Sequence, residues 1–152
     1  MFFALSLHIL AAIVWVGGMF FAYVCLRPAA VTLLEPSLRL RLWIAVFRRF
    51  FLFVWLAVVL LPVTGMYMAD RLYSDIASAP AAIVLMAGIG TLMILLYWHA
   101  FFAPYRRLRR CVALGDFKEG GRQLARIRRI IGVNTLLGAL VVLMAVAGQI
   151  MN

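Results

Sequence analysis

The chain has 152 residues, 67% of them hydrophobic, and a formal net charge of +10 from 15 Lys and Arg against five Asp and Glu. A water-soluble domain is about half apolar, so this composition excludes a soluble enzyme, a disordered chain and a disulfide scaffold, and requires lipid as its solvent. The positive charge is no argument for nucleic acid as a partner, because basic loops are an ordinary property of membrane proteins.

Four segments are free of Asp, Glu, Lys and Arg over the about 20 residues that a helix needs to cross a bilayer. They are residues 2–26, 50–69, 81–103 and 130–151. The first lacks a basic start and is followed by Arg27-Pro28 rather than by small residues, so it reads as a retained helix and not a cleaved signal. In lipid each backbone must close its own hydrogen bonds, so all four are predicted helices. The predicted fold is all-α, a single four-helix transmembrane domain over residues 1–152.

The loops between them differ in charge. Arg27, Arg39, Arg41, Arg48 and Arg49 against Glu35 make the first loop +4. Asp70, Arg71 and Asp75 make the second −1. The third, from Arg106 to Arg129, is +7, so fourteen of fifteen cations fall on one side. Positive loops stay in the cytoplasm, which places both termini outside a bacterial inner membrane. These arginine clusters are expected to meet phospholipid headgroups.

The basic segments also carry helix signals. Ser37 can cap a helix whose apolar positions Leu40, Trp43, Val46, Phe47 and Phe50 run into the second span. Residues 105–114 extend the third span as a basic helix that stops at Gly115. Asp116, with Glu119 three positions on, then opens the last helix as a capping box. Gly17-Gly18, Gly88, Gly90, Gly132, Gly138 and Gly148 permit close helix approach. Asn134, Gly138, Val141, Ala145 and Gly148 form one narrow face. These glycine faces leave room for a homodimer.

No carboxylate proton relay, cysteine pair or nucleophile–base pair stands in the spans. A metal or cofactor must therefore carry any chemistry, and an enzyme of this kind would be a haem-dependent oxidoreductase. The polar residues inside are Ser6, His8, Thr64, Thr91, His99, Asn134, Thr135 and Gln149. An intramembrane ionisable group is a functional candidate by default, which singles out the two histidines. His8 lies about 9 Å inside the outer end of its span, and His99 about 18 Å deeper. Axial haem ligands stand about 4 Å apart, so these two histidines cannot share one haem.

Eight methionines accompany them. Met66, Met68 and Met86, with Met144, Gln149 and Met151, fall in the same outer layer as His8. Met19 and Met93 lie between the layers, and Cys25 shares the depth of His99. Imidazole and thioether together suit Cu(I), which makes His8, Met66, Met68 and Met86 a candidate metal set. The alternative is haem b on His8 with a thioether or an open position opposite. Trp15 and Met19 share the face of His8 to within about 20° on a helical wheel.

Leu7-His8, then Trp15-Val16-Gly17-Gly18 and Met19-Phe20-Phe21, resemble the first helix of the CopD-like copper-resistance membrane family. The same opening is similar to that of HemJ-type protoporphyrinogen oxidases, four-helix proteins that hold haem b through that histidine. Thr64-Gly65, the arginine-rich segment after the third span and the run Arg128 to Asn134 also fit this group. The resemblance implies inner-membrane copper binding or transport, with His8 as the functional residue and a periplasmic copper or electron carrier as partner. Span four has no Lys or Arg past Arg129, where the oxidases carry a lysine. His8, Trp15 and His99 are the candidate cofactor contacts. A cofactor-free assembly subunit is the third reading.

Overall fold

The computed structural model describes residues 1–73 and 79–150, without the side chains of the last three. Asp75, Met151 and Asn152 lie outside the described residues, as do the side chains of Gly148 and Gln149. Four long helices are present: α1 (Phe2–Leu33), α2 (Pro36–Leu72), α3 (Ala81–Ala113) and α4 (Phe117–Ile150). All four are long and apolar enough to cross a membrane, and no strand occurs among the described residues. The 37 residues of α2 span about 55 Å at 1.5 Å each, well beyond a hydrocarbon layer of about 30 Å. The helices therefore project from the membrane at the arginine-rich end, as the loop patterns predict. The protein is a multi-pass membrane protein.

Some boundaries differ from the sequence expectation. α1 does not end at Leu26 but continues through Arg27-Pro28 to Leu33. Pro28 has no N–H to offer the preceding turn, and the backbone widens into a π-type turn over Phe21–Leu26 instead of breaking. Pro104 sits in a similar wide turn, Phe101–Tyr105, that joins the third span to its basic extension. Ser37 does not cap α2. The helix starts at Pro36, whose fixed φ suits the first helical position, and Glu35 precedes it without a side-chain capping bond.

The α3–α4 corner follows its sequence signals. Gly115 adopts φ +75°, the left-handed conformation that only glycine takes without strain. Asp116 then accepts the Glu119 N–H on Oδ1 at 2.9 Å. Half of the predicted capping box forms. Glu119 turns outward and accepts from Arg122 at 2.8 Å and from Gln123 at 2.6 Å.

Rings from three helices fill the core. Phe47 stacks on Phe51 at 5.3 Å, and Tyr105 stands edge-on to Phe51 at 5.0 Å. Trp43, Phe47, Leu108 and Ile127 are almost wholly buried in the projecting part of the bundle. Of the predicted packing glycines, Gly18, Gly132 and Gly138 stand against neighbours, a Cβ on Gly132 falling 3.1 Å from the Tyr23 ring. A Cβ on Gly18 would meet the Phe50 ring, and one on Gly138 would lie 2.7 Å from Val16. A Cβ on Gly17, Gly88 or Gly90 would meet nothing within 4 Å. Among the described residues the α4 stripe packs through Asn134, Gly138 and in part Val141, and Ala145 is exposed. Nearer the end of α4 the helices contact one another less, so a face read from the wheel outlasts the contact it serves.

Candidate functional site at His8 and Thr64

α1 and α2 form an antiparallel hairpin through Leu34 and Glu35. His8 and Thr64 lie at similar chain distances from that turn, so the hairpin brings them level. His8 Nδ1 stands 2.8 Å from Thr64 Oγ1. The Thr64 hydroxyl also lies 2.5 Å from the Leu60 carbonyl oxygen and 3.3 Å from that of Leu61. A hydroxyl has one proton, and these carbonyls, which can only accept, take it. The short contact to Leu60 assigns the hydroxyl proton to that carbonyl, so Oγ1 accepts from His8 and the ring proton is assigned to Nδ1. Nε2 is left with an unshared lone pair on a ring held in place from behind.

Gly65 adds room at the ring edge. A Cβ there would lie 3.4 Å from His8 Cε1, the carbon next to Nε2. His8 itself is half-buried, so the free nitrogen is accessible without being solvated on all sides. Thr64 is buried, and Pro62 interrupts the α2 backbone ladder in the same turn. An oriented imidazole whose second nitrogen donates a hydrogen bond is the usual construction of a metal-ligating histidine.

The predicted thioethers separate. Met66 is 69% exposed and points away from the bundle. Two residues from Thr64, it lies about 200° around the helix. Met68 is half-buried and, four residues on, shares the Thr64 face about one turn farther out. Met86 on α3 is also half-buried. Among the described residues no three His, Cys, Asp or Glu side chains come together as a metal site. A metal on His8 must therefore complete its shell with thioether, hydroxyl or external ligands.

Trp15 and Met19 belong to a different place. Both are buried, about 10 Å and 16 Å along α1 from His8. With Phe51, Tyr97 and Asn134 they line an internal cavity of about 20 Å³, room for a single water molecule. Asn134 is 2% exposed. Its Nδ2 donates to the Met93 carbonyl at 3.1 Å, while Oδ1 has no partner among the described residues. Tyr97 donates to the Phe51 carbonyl at 3.2 Å across the bundle. His99 is exposed beside Trp98 on the outer surface of α3, and so is Cys25 on α1. The structure does not bring them together with Met19 and Met93, which are buried in the core.

In the sequence Thr64 and Asn134 stand out as polar positions, as parts of the motifs that carry the resemblance and, for Asn134, as part of the α4 packing face, but not as site residues. The signal for Thr64 was its depth: a polar group in lipid seeks a polar partner, and Thr64 lies level with His8 on the neighbouring helix.

Searches of curated proteins and of solved structures find no significant match. A family model, that of copper resistance protein D (CopD), matches residues 44–148. The matched segment holds Thr64 and Gly65, to which His8 comes from α1, outside it, and also Asn134 of the inner cavity. It covers more than half of the chain, and the protein belongs to the CopD family of copper-resistance membrane proteins.

Proposed function

We propose that this protein binds copper and passes it across or into a bacterial inner membrane, with both termini outside and His8 Nε2 as the primary ligand. The observation that carries the reading is the His8–Thr64 hydrogen bond at 2.8 Å, which leaves one nitrogen of an oriented ring free. Family membership supplies the metal, and the chemistry agrees: neutral imidazole with thioether suits Cu(I). Met68, on the Thr64 face, is the thioether best placed to join it. Met66 and Met86 complete the outer methionine set and would receive or release the ion at the surface.

The test is the purified protein in detergent, expressed with copper and haem precursor both supplied. Stoichiometric copper, lost in His8→Ala and on treatment with a Cu(I) chelator, supports the proposal. A Soret band lost in His8→Ala would instead make the protein a haem b redox protein. Neither cofactor in the wild-type chain would leave a structural or assembly subunit. Both of these outcomes overturn the copper reading.

A further inference from the structure

The fifteen cations of this chain are not alike. Twelve are exposed, as loop charges should be, and only Arg27, Arg39 and Arg128 are half-buried. These three come from α1, α2 and α4 and converge: Arg128 lies within the Coulomb field of both Arg27 and Arg39, like charges that oppose it. Arg27 and Arg128 line one cleft between the helices together with Ala22, Tyr23, Trp43 and Ile131. The Arg27 guanidinium lies over the Tyr23 ring at 5.1 Å, which fixes its direction.

Among the described residues no acid neutralises them. The one ion pair there is Glu119 with Arg122, and Glu35, one turn before Arg39, forms none. None of the three guanidiniums donates a hydrogen bond to a described protein acceptor, although each has five N–H donors. Three partly desolvated like charges held together are unfavourable unless an anion joins them. Their height along the bundle, at the basic ends of the spans, is the level of lipid phosphates.

We propose that Arg27, Arg39 and Arg128 form a site for one anionic phospholipid, its phosphodiester held by the guanidiniums and its apolar part lying outside the bundle along the exposed Tyr23 ring. Arginine forks match phosphate oxygens two at a time, and the turns of α1 that precede Arg27 expose Phe20, Phe21 and Val24, which suits an amphiphile better than a free anion. The site would tie α1, α2 and α4 together at the membrane surface. It is independent of the chemistry at His8.

Native mass spectrometry of the full chain in mild detergent, supplied with phosphatidylglycerol or phosphatidylcholine, tests this directly. One phosphatidylglycerol should be retained where phosphatidylcholine is stripped. Replacing all three arginines with Gln should weaken retention about fivefold per charge, roughly 100-fold together. Arg128→Lys keeps the charge but loses the fork, and should weaken retention in a chain that still folds. The triple exchange of exposed Arg107, Arg110 and Arg126 to Gln removes the same charge and should leave the first lipid bound. Equal weakening by that control would refute the site in favour of diffuse attraction. Equal retention of both lipids, unchanged binding in Arg128→Lys, or displacement of phosphatidylglycerol by millimolar inorganic phosphate would also overturn it.

Discussion

Thr64→Val tests the construction of the His8 site. Valine keeps the shape of threonine and removes the hydroxyl that accepts from His8 Nδ1 at 2.8 Å. The Leu60 carbonyl loses only a second donor, since it still receives the helical N–H. The cost therefore falls on His8, whose ring loses its Thr64 partner and keeps only the Leu61 carbonyl nearby. Interhelical side-chain hydrogen bonds within membranes contribute about 0.6 kcal/mol on average and up to about 1.7 kcal/mol. Global stability should fall by no more than that. The ligand should suffer more, because loss of the partner that orients a metal-bound imidazole weakens metal affinity about 10- to 100-fold. Competition against a colorimetric Cu(I) chelator in detergent measures this. Thr64→Ser should hold wild-type affinity, Thr64→Val should lose one to two orders of magnitude, and His8→Ala should lose the site. In the His8→Ala background Thr64→Val should have no further effect. The ¹⁵N spectrum of labelled histidine should show the Nδ1–H tautomer in the wild type. Wild-type copper affinity in Thr64→Val, or an Nε2–H tautomer, would refute the reasoning.

Further outcomes are expected elsewhere in the molecule. Tyr97→Phe should cost about 1 kcal/mol, since only the bond to the Phe51 carbonyl is lost, whereas Tyr97→Ala should cost about 3–5 kcal/mol by emptying the aromatic core; thermal unfolding in detergent separates the two. Gly138→Leu should destabilise by about 1–3 kcal/mol through collision with Val16 and Met93, while Gly88→Leu, which meets no neighbour, should be near neutral. Asp116→Ala removes the α4 cap and should cost about 1 kcal/mol in the same assay. Glu119, outside the spans, is held below its ordinary carboxyl value of 4.5 by the hydrogen bond from Gln123 and, less strongly, by Arg122. Its contribution is thus complete above that value and fades as pH falls through the lowered one. Stability measured over acid pH should decline less in Glu119→Gln than in the wild type.

What could be read in the sequence follows from what is local. The charge-free runs located the four helices because a span must satisfy its own backbone, and Gly115 and Asp116 located the α3–α4 corner because a left-handed residue and a cap act within one turn. Ser37 misled because the preceding Pro36 suits the first helical position better. The first helix outruns its charge-free stretch because Pro28 in a long helix is absorbed by a wide turn. Depth puts Met66 level with His8, but depth does not give rotation, and Met66 faces outward.

The sequence by itself determined a membrane protein of four helices, its basic end, and a lone histidine near the opposite end. Only the tertiary structure decided that Thr64 orients His8, that Trp15 and Met19 belong with Asn134 and Tyr97, and that three of the fifteen cations converge. The reason is physical. In a soluble protein the polar face of a helix reveals which side looks inward, whereas here core and lipid are equally apolar, and hydropathy says little about the rotation of a helix about its own axis. Contacts between helices set that rotation, through a ring wedged against Gly18 or a polar pair that finds no water, and these exist only once the helices have packed.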